Sequence, residues 1–272
     1  MPTTYTHYKF GKDVLEQLPG PLRSSVEKHR ELFDIGLHGP DILFYYHPLH
    51  WNPVNTEGSQ IHGKMADEFF EKAVSVIKSE EDPAAARSYI YGFICHFALD
   101  SICHKYIEKM IQVSGICHYE IEMELDRYLM IRDGLDPITY IPTGHLVASR
   151  KNAEVIAPFF ESLDVDTAQK TLRSMRVCLK FLMFSGERRD KMIQKTLRMT
   201  GFYDKYGLFM SEQENPDCEK YCELLLEKYN EALPEAVELI QHYQRVLFEN
   251  EKLSEKFHAT FSAGEDWEKL EL

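Results

Sequence analysis

The sequence predicts an all-α fold, a single-domain multi-helix bundle spanning residues 1–272. Three observations carry this. Apolar residues recur at helical spacing along most of the chain, and no convincing run of alternating strand residues is visible. An apolar content of 44% in 272 residues is enough for one substantial core. No internal repeat or low-complexity tract divides the chain.

The periodicity predicts short helices over Val14 to Leu18 and Leu22 to Phe33, separated by Pro19-Gly20-Pro21, whose rings forbid a continuous helical ladder. From Gly36 to Ser59 it is lost. Pro40, Pro48, Pro53 and Gly58 predict a long ordered loop there, and Phe44, Tyr45, Tyr46 and Trp51 argue against disorder. That loop is expected to cover a site. Helical spacing returns over Gln60 to Ile77, Pro83 to Ile111 and Gly115 to Ile131. Pro137 and Pro142 then break the chain before amphipathic segments at Ala148 to Leu163, Thr167 to Phe184 and Arg188 to Leu197. Asn215-Pro216 opens a last helix over Cys218 to Asn250, expected to be interrupted at Pro234. The candidate site lies before residue 135, and the helices between 148 and 252 are expected to pack around it.

Charge narrows the partners. With 44 acidic and 31 basic residues the net charge is −13, which repels extended nucleic acid. Met1 to Phe10 holds no basic segment followed by an apolar run, and no stretch approaches the ~20 apolar residues of a membrane span. No lipid anchor or basic amphipathic helix points to a membrane. A cytoplasmic protein with reduced thiols is therefore expected. The six cysteines contain no C-x-x-C pair.

The informative stretch is His96-Phe-Ala-Leu-Asp100-Ser-Ile-Cys-His104, followed fourteen residues after His104 by His118-Tyr-Glu-Ile-Glu122. At ~100° per residue, positions four apart lie only about 40° apart around a helix, with Cβ atoms ~6 Å from each other. His96 and Asp100 can therefore share one cation. His118 and Glu122 stand in the same relation on the next helix, where His104 can complete a second. The residues around His96 and Asp100 are Tyr, Ile, Phe, Ala and Leu, so the polar face looks inward, and a buried charge needs a partner. Mixed nitrogen and carboxylate donors suit zinc or another borderline transition metal better than magnesium or calcium.

With these motifs the chain resembles the zinc-dependent phospholipase C family, whose helical fold is shared with single-strand-specific zinc nucleases. The landmarks are Thr6-His7, the Gly39-Pro40-Asp41 loop, His62 opening a helix, the H-x-x-x-D of His96 and Asp100, His104, and the H-x-x-x-E of His118 and Glu122. The resemblance implies one zinc on Asp41, His62, His96 and Asp100, and a second on His104, His118 and Glu122. A third, in secreted members, uses the early histidine, the shared aspartate and a processed N-terminal tryptophan. Here that means His7 and Asp100, with no tryptophan. The interval from Asp100 to His104 is shorter than in the secreted enzymes and that from Asp41 to His62 longer, so His38, His47 and His50 compete for a loop ligand role. Beyond residue 135 the resemblance is general helicity and transfers no functional residue.

Other groups read as structural. Cys95, Cys103 and Cys117 each precede a proposed ligand and point about 100° away from it, and Cys218 with Cys222 fits helix packing. Asp126 is either an acceptor from a ligand imidazole or an exposed carboxylate. His145, His242 and His258 receive no role.

The implied activity is hydrolysis of phosphate esters, with two or three zinc ions (iron or manganese as alternatives) and a small phosphate ester or phospholipid head group as substrate. Asp41 is the candidate to accept the water proton. The alternative is a non-catalytic helical binding protein stapled by metal. A di-iron oxidase needs Glu-x-x-His spacing, which is absent.

Overall fold

A computed structural model describes residues 4–183, 186–201 and 203–272, and all regular structure among these is helical. α1 (Thr4–Gln17) starts well before the predicted Val14. Its first N–H groups are satisfied from a distance. Asp126 accepts from the backbone N–H of Tyr5 (3.0 Å) and Thr6 (2.8 Å) and from the Thr6 hydroxyl (2.6 Å). A carboxylate remote in sequence thus does the work of a local cap. Asp126 is accordingly fully buried, neither an exposed carboxylate nor an acceptor from an imidazole.

α2 (Gly20–Glu27) and α3 (Arg30–Gly36) replace the single helix predicted over Leu22 to Phe33. Their break at Lys28-His29 contains no Pro or Gly and leaves no composition signal. The predicted loop from Gly36 to Ser59 is largely helical, holding a 3₁₀ helix (Gly39–Tyr45) and then most of α4 (Pro53–Gly63). Pro53 is a helix start, not a breaker. It occupies the first turn, where its missing N–H has no intrahelical partner to lose, and the Asn52 side chain accepts from the N–H of Val54 (3.0 Å) and Asn55 (3.3 Å). His62 therefore lies in the last turn of α4 and does not open a helix. α5 (Ala66–Ser79) follows as a separate element, so the predicted helix Gln60 to Ile77 is two.

α6 (Pro83–Ser114) is the longest helix and the axis of the molecule. Asp82 caps its N-terminus through the Ala85 N–H, and Gly115, at φ 72°, ends it in the left-handed conformation. Every residue from Ser88 to Asp100 is buried, as expected of a helix enclosed on all sides. α7 (His118–Arg132) follows, starting three residues after the predicted Gly115. α8 (Arg150–Ile156) ends in a 3₁₀ turn (Ala157–Phe159), so the helix predicted to reach Leu163 is shorter. α9 (Val165–Met183) and α10 (Glu187–Thr200) agree with the periodicity; the predicted end of α9, Phe184, lies outside the described residues, as do Met1 to Thr3. α11 (Glu219–Glu249) runs unbroken through Pro234. Tyr229, Ala232, Ala236 and Leu239 are buried on both sides of the proline, and that burial outweighs one missing ladder bond.

α1, α2, α3, α5, α8 and α11 all pack along α6. One apolar cluster extends from Tyr5 to Phe261, so the segment after α11 belongs to the same core. Phe257 and Phe261 in that segment are fully buried.

α3 crosses α6 at paired glycines. A Cβ on Gly36 would stand 2.1 Å from the Tyr89 carbonyl oxygen, and one on Gly92 2.1 Å from that of Phe33. This approach fixes the height of the following 3₁₀ helix over α6. Gly39, at φ +47°, then lies flat against the His96 ring, where a Cβ would be 2.3 Å from Cδ2. Gly92→Ala should lower the unfolding free energy by about 3 kcal/mol, the upper range for overpacking against backbone, measured by urea titration. An unchanged midpoint would show that the two helices are not held in this contact.

Candidate metal centre

The eight residues proposed from sequence come from five segments. His7 lies in the first turn of α1, which the Asp126 bonds tie to α7. Asp41 is on the 3₁₀ helix held by Gly39, and His62 is at the end of α4. His96, Asp100 and His104 occupy three successive turns of α6, while His118 and Glu122 occupy the first two turns of α7. His7, Asp41, His96, Asp100 and Glu122 are buried, His96 completely.

Their ligand atoms converge in three triplets, each with all atoms within 4.8 Å of one another: His7, His96 and Asp100; Asp41, His62 and His96; His104, His118 and Glu122. Asp100 links them. Its carboxylate lies 3.0 Å from His96 Nε2, 3.3 Å from His7 Nε2 and 3.8 Å from His104 Nε2. His62 Nε2 is 3.0 Å from Asp41, and Glu122 is 3.1 Å from His118 Nε2 and 3.5 Å from His104 Nε2. His96 therefore joins the His7 group as well as the Asp41 group. His38, His47 and His50 are in none of the triplets. His47 and His50 are exposed.

The imidazoles are aimed by their outer nitrogens. Nδ1 of His62 faces the Gly58 carbonyl (2.7 Å), that of His96 the Leu37 carbonyl (3.2 Å) and that of His104 the Phe261 carbonyl (2.7 Å). A carbonyl only accepts, so each Nδ1 carries the proton and donates it. Each Nε2 is then left with its lone pair toward the carboxylates, the arrangement that orients histidine ligands. His96 Nε2, although 3.0 Å from Asp100, makes no hydrogen bond. A lone pair turned in this way into a buried acidic cluster is the chemistry of a cation site.

The electrostatics agree. Burial disfavours a carboxylate, yet Asp41, Asp100 and Glu122 are all held well below the usual range, with the imidazoles around them contributing. Burial likewise opposes charge on His118, but Glu122 and the bond to Glu108 push it up to about 10. His96 and His104 are raised against burial by Asp100, and His104 by Glu122 as well. His7 is lowered, chiefly by burial and then by His96. Three buried anions thus draw protons onto neighbouring imidazoles, and a divalent cation can take the place of those protons.

Some participants escape sequence reading. Glu108 lies 3.5 Å from His118 Nδ1 and continues the i, i+4 row from His96 through Asp100 and His104, so its spacing was a usable signal. The Phe261 carbonyl comes from the tail, where nothing in the sequence marks it. The ring of Phe261 also packs near those of His62 (5.9 Å) and His96 (6.0 Å), and the Ser262 hydroxyl donates to the His62 carbonyl at 3.1 Å. His145, left without a role, bonds His38 through paired Nε2 atoms at 2.8 Å and stacks on Tyr8 at 4.1 Å. Burial, with Arg30 nearby, holds His145 down to about 3, so this pair is neutral. His258 is exposed and bonded to Asp67, and His242 to the Lys252 carbonyl. Cys95 and Cys103 are buried free thiols pushed up by burial, and Cys218, also free, is pushed up to about 12.

Comparison with known proteins gave one match. The family model described as zinc dependent phospholipase C aligns with residues 6–171, more than half of the chain, and it continues past residue 135 into α9. No curated protein and no solved structure matched. Convergent histidine and carboxylate triplets on an all-helical frame, together with this alignment, show that the chain belongs to the zinc-dependent phospholipase C family.

Proposed function

We propose that the protein is a metal-dependent phosphoesterase holding two or three zinc ions. His104, His118 and Glu122 take one ion, Asp41, His62, His96 and Asp100 a second, and His7 with Asp100 a third. The observation that carries this reading is the convergence of the three triplets: two share His96, and the Asp100 carboxylate of the first lies 3.8 Å from His104 of the third. Shared carboxylates hold cations close together, which a single structural ion does not need. The nitrogen and carboxylate donors, and the carbonyl-fixed Nδ1 protons, fit zinc.

Bound zinc supplies Lewis acidity toward phosphate oxygens and lowers the pKa of water to about 7. The chain's own residues do the rest. Solvent reaches the cluster where side chains are partly open: His118 at 28% exposure, His62 at 16% and Asp41 at 11%. A phosphate ester enters on that side. Asp41 remains ionised at neutral pH because His62 and His96 offset its burial, so its carboxylate is the acceptor for the proton of attacking water. Phe44, 5.4 Å from the His62 ring, gives the entrance an apolar wall. The substrate class is a small phosphate ester or a phospholipid head group, not extended nucleic acid, which a net charge of −13 repels. A metal-stapled binding protein is the rival reading. Chromogenic phosphate mono- and diesters and a phospholipid, assayed with zinc and with chelator, separate the two, since no turnover on any of them favours the staple.

Asp100→Ala should remove at least one metal equivalent per chain by elemental analysis and reduce hydrolysis by roughly a thousandfold, as removal of a group that positions the catalytic ions demands. Unchanged metal content would overturn the shared role of Asp100. Proton linkage gives a second check. His118, held at about 10 in the metal-free protein, carries a proton at pH 7 that a cation must displace, and His96 and His104 are shifted in the same direction. Because a raised pKa keeps the proton on until the pH exceeds it, apparent zinc affinity should climb between pH 6 and pH 9. Calorimetry of the metal-free protein at pH 7, in buffers of different ionisation enthalpy, should show at least one proton released per chain. Buffer-independent heats would contradict the linkage.

A further inference from the structure

The charge of the chain is unevenly distributed. α9 and α10 together hold nine basic and three acidic residues, a net +6 within a total of −13, so everything else sums to −19. The basic residues are ordered. On α10 the exposed positions include Arg188, Lys191, Met192, Lys195, Arg198 and Met199, on one face at helical spacing with methionines set among the bases. Met192 is 64% exposed and Met199 78%. On α9 the exposed stripe is Arg173, Val177, Lys180 and Phe181, the valine 67% exposed and the phenylalanine 58%. The two stripes meet where the Arg189 guanidinium lies over the rings of Phe181 (5.0 Å) and Phe209 (5.4 Å).

A helix with large apolar groups set among bases is built for the boundary between anionic head groups and acyl chains. Bases alone suit any polyanion; the protruding methionines, valine and phenylalanine gain only where they leave water. Position matters too. The 3₁₀ helix Tyr203–Leu208 that follows α10 seats on the start of α7: Gly207 is so close that a Cβ would stand 2.8 Å from both Cys117 Sγ and the Glu120 nitrogen, and the Lys205 ammonium lies 4.7 Å from the Tyr119 ring. Tyr119 adjoins His118, the most open of the proposed ligands. The 3₁₀ helix thus joins the end of α10 to the helix that carries His118.

We propose that the α9–α10 face docks reversibly on anionic phospholipid bilayers and so presents the metal centre to lipid head groups. The inference rests on the phosphoesterase reading for what is presented, and adds to it the surface that meets the bilayer. The remaining negative charge does not prevent docking, because at physiological salt it is screened beyond about 8 Å.

The test is co-sedimentation of the purified full-length protein with vesicles of phosphatidylcholine alone or mixed with phosphatidylglycerol, at 0.1 M salt, with and without chelator. The protein should pellet with the mixed vesicles and not with phosphatidylcholine, and chelator should leave binding unchanged, because this face needs no metal. Arg188→Glu combined with Lys195→Glu should reduce binding ~100-fold, given four units of charge altered at the surface, and Met192→Ser at least threefold. Hydrolysis of a soluble chromogenic ester and the circular dichroism spectrum should stay at wild-type level in both. Equal binding by the charge-reversed protein, or wild-type binding to heparin and not to mixed vesicles, would overturn the proposal. Docking without any ester hydrolysis would instead count against the phosphoesterase reading and leave the lipid face standing.

Discussion

The structure depends on three carboxylates held inside an apolar bundle. Asp41, Asp100 and Glu122 are taken from water by helices that bury aromatic and aliphatic side chains on every side of α6. Isolated, each would cost several kcal/mol and would simply be protonated. Surrounded by five imidazoles they stay ionised, and His96, His104 and His118 become more basic in return. Neither set is tolerable without the other. That mutual requirement explains why elements as separate as α1, the 3₁₀ helix after α3, α4, α6 and α7 must meet within a few ångströms.

The frame enforces the meeting mainly through backbone. Reciprocal glycines at 36 and 92 bring α3 onto α6, and Gly39 carries the chain across the His96 ring. Asp126 captures the start of α1 and so places His7 opposite Asp100. Three carbonyls, from Leu37, Gly58 and Phe261, then fix the rotation of three histidines. Backbone carbonyls cannot be exchanged by point mutation, and their positions follow from the path of the chain. Ligand geometry is in this sense a property of how helices end: the Leu37 carbonyl lies just past α3 and the Gly58 carbonyl in the body of α4, one turn before the histidine it orients.

Most of the site was legible because its donors lie one helical turn apart. His96, Asp100 and His104, like His118 and Glu122, declare a common face by spacing alone, and the family resemblance adds His7, Asp41 and His62. The fold class was legible for the same reason, since α5, α9 and α10 are strongly periodic. What failed was local punctuation. Pro53 was counted as a breaker when Asn52 makes it a helix start, and Pro234 as an interruption when burial on both sides carries α11 past it. The start of α1 is capped by a residue 120 positions away from Thr6, and the break between α2 and α3 carries no marker. Glu108 was overlooked although it extends a visible row. The tail was illegible, because a carbonyl at Phe261 has no sequence signature.

The family alignment stops within α9, yet the molecule does not divide there. Phe261 supplies both a carbonyl to His104 and an aromatic wall to His62 and His96, so residues beyond the aligned region complete the inner face of the metal centre. The 3₁₀ helix after α10 touches the outer face, at Tyr119 and Glu120. The aligned part therefore carries the donors and two of the three carbonyls that orient them, while the remainder adds the third carbonyl and part of the outer face. In this chain the α9–α10 surface is basic and apolar against an acidic background, and the proposed lipid docking uses that contrast.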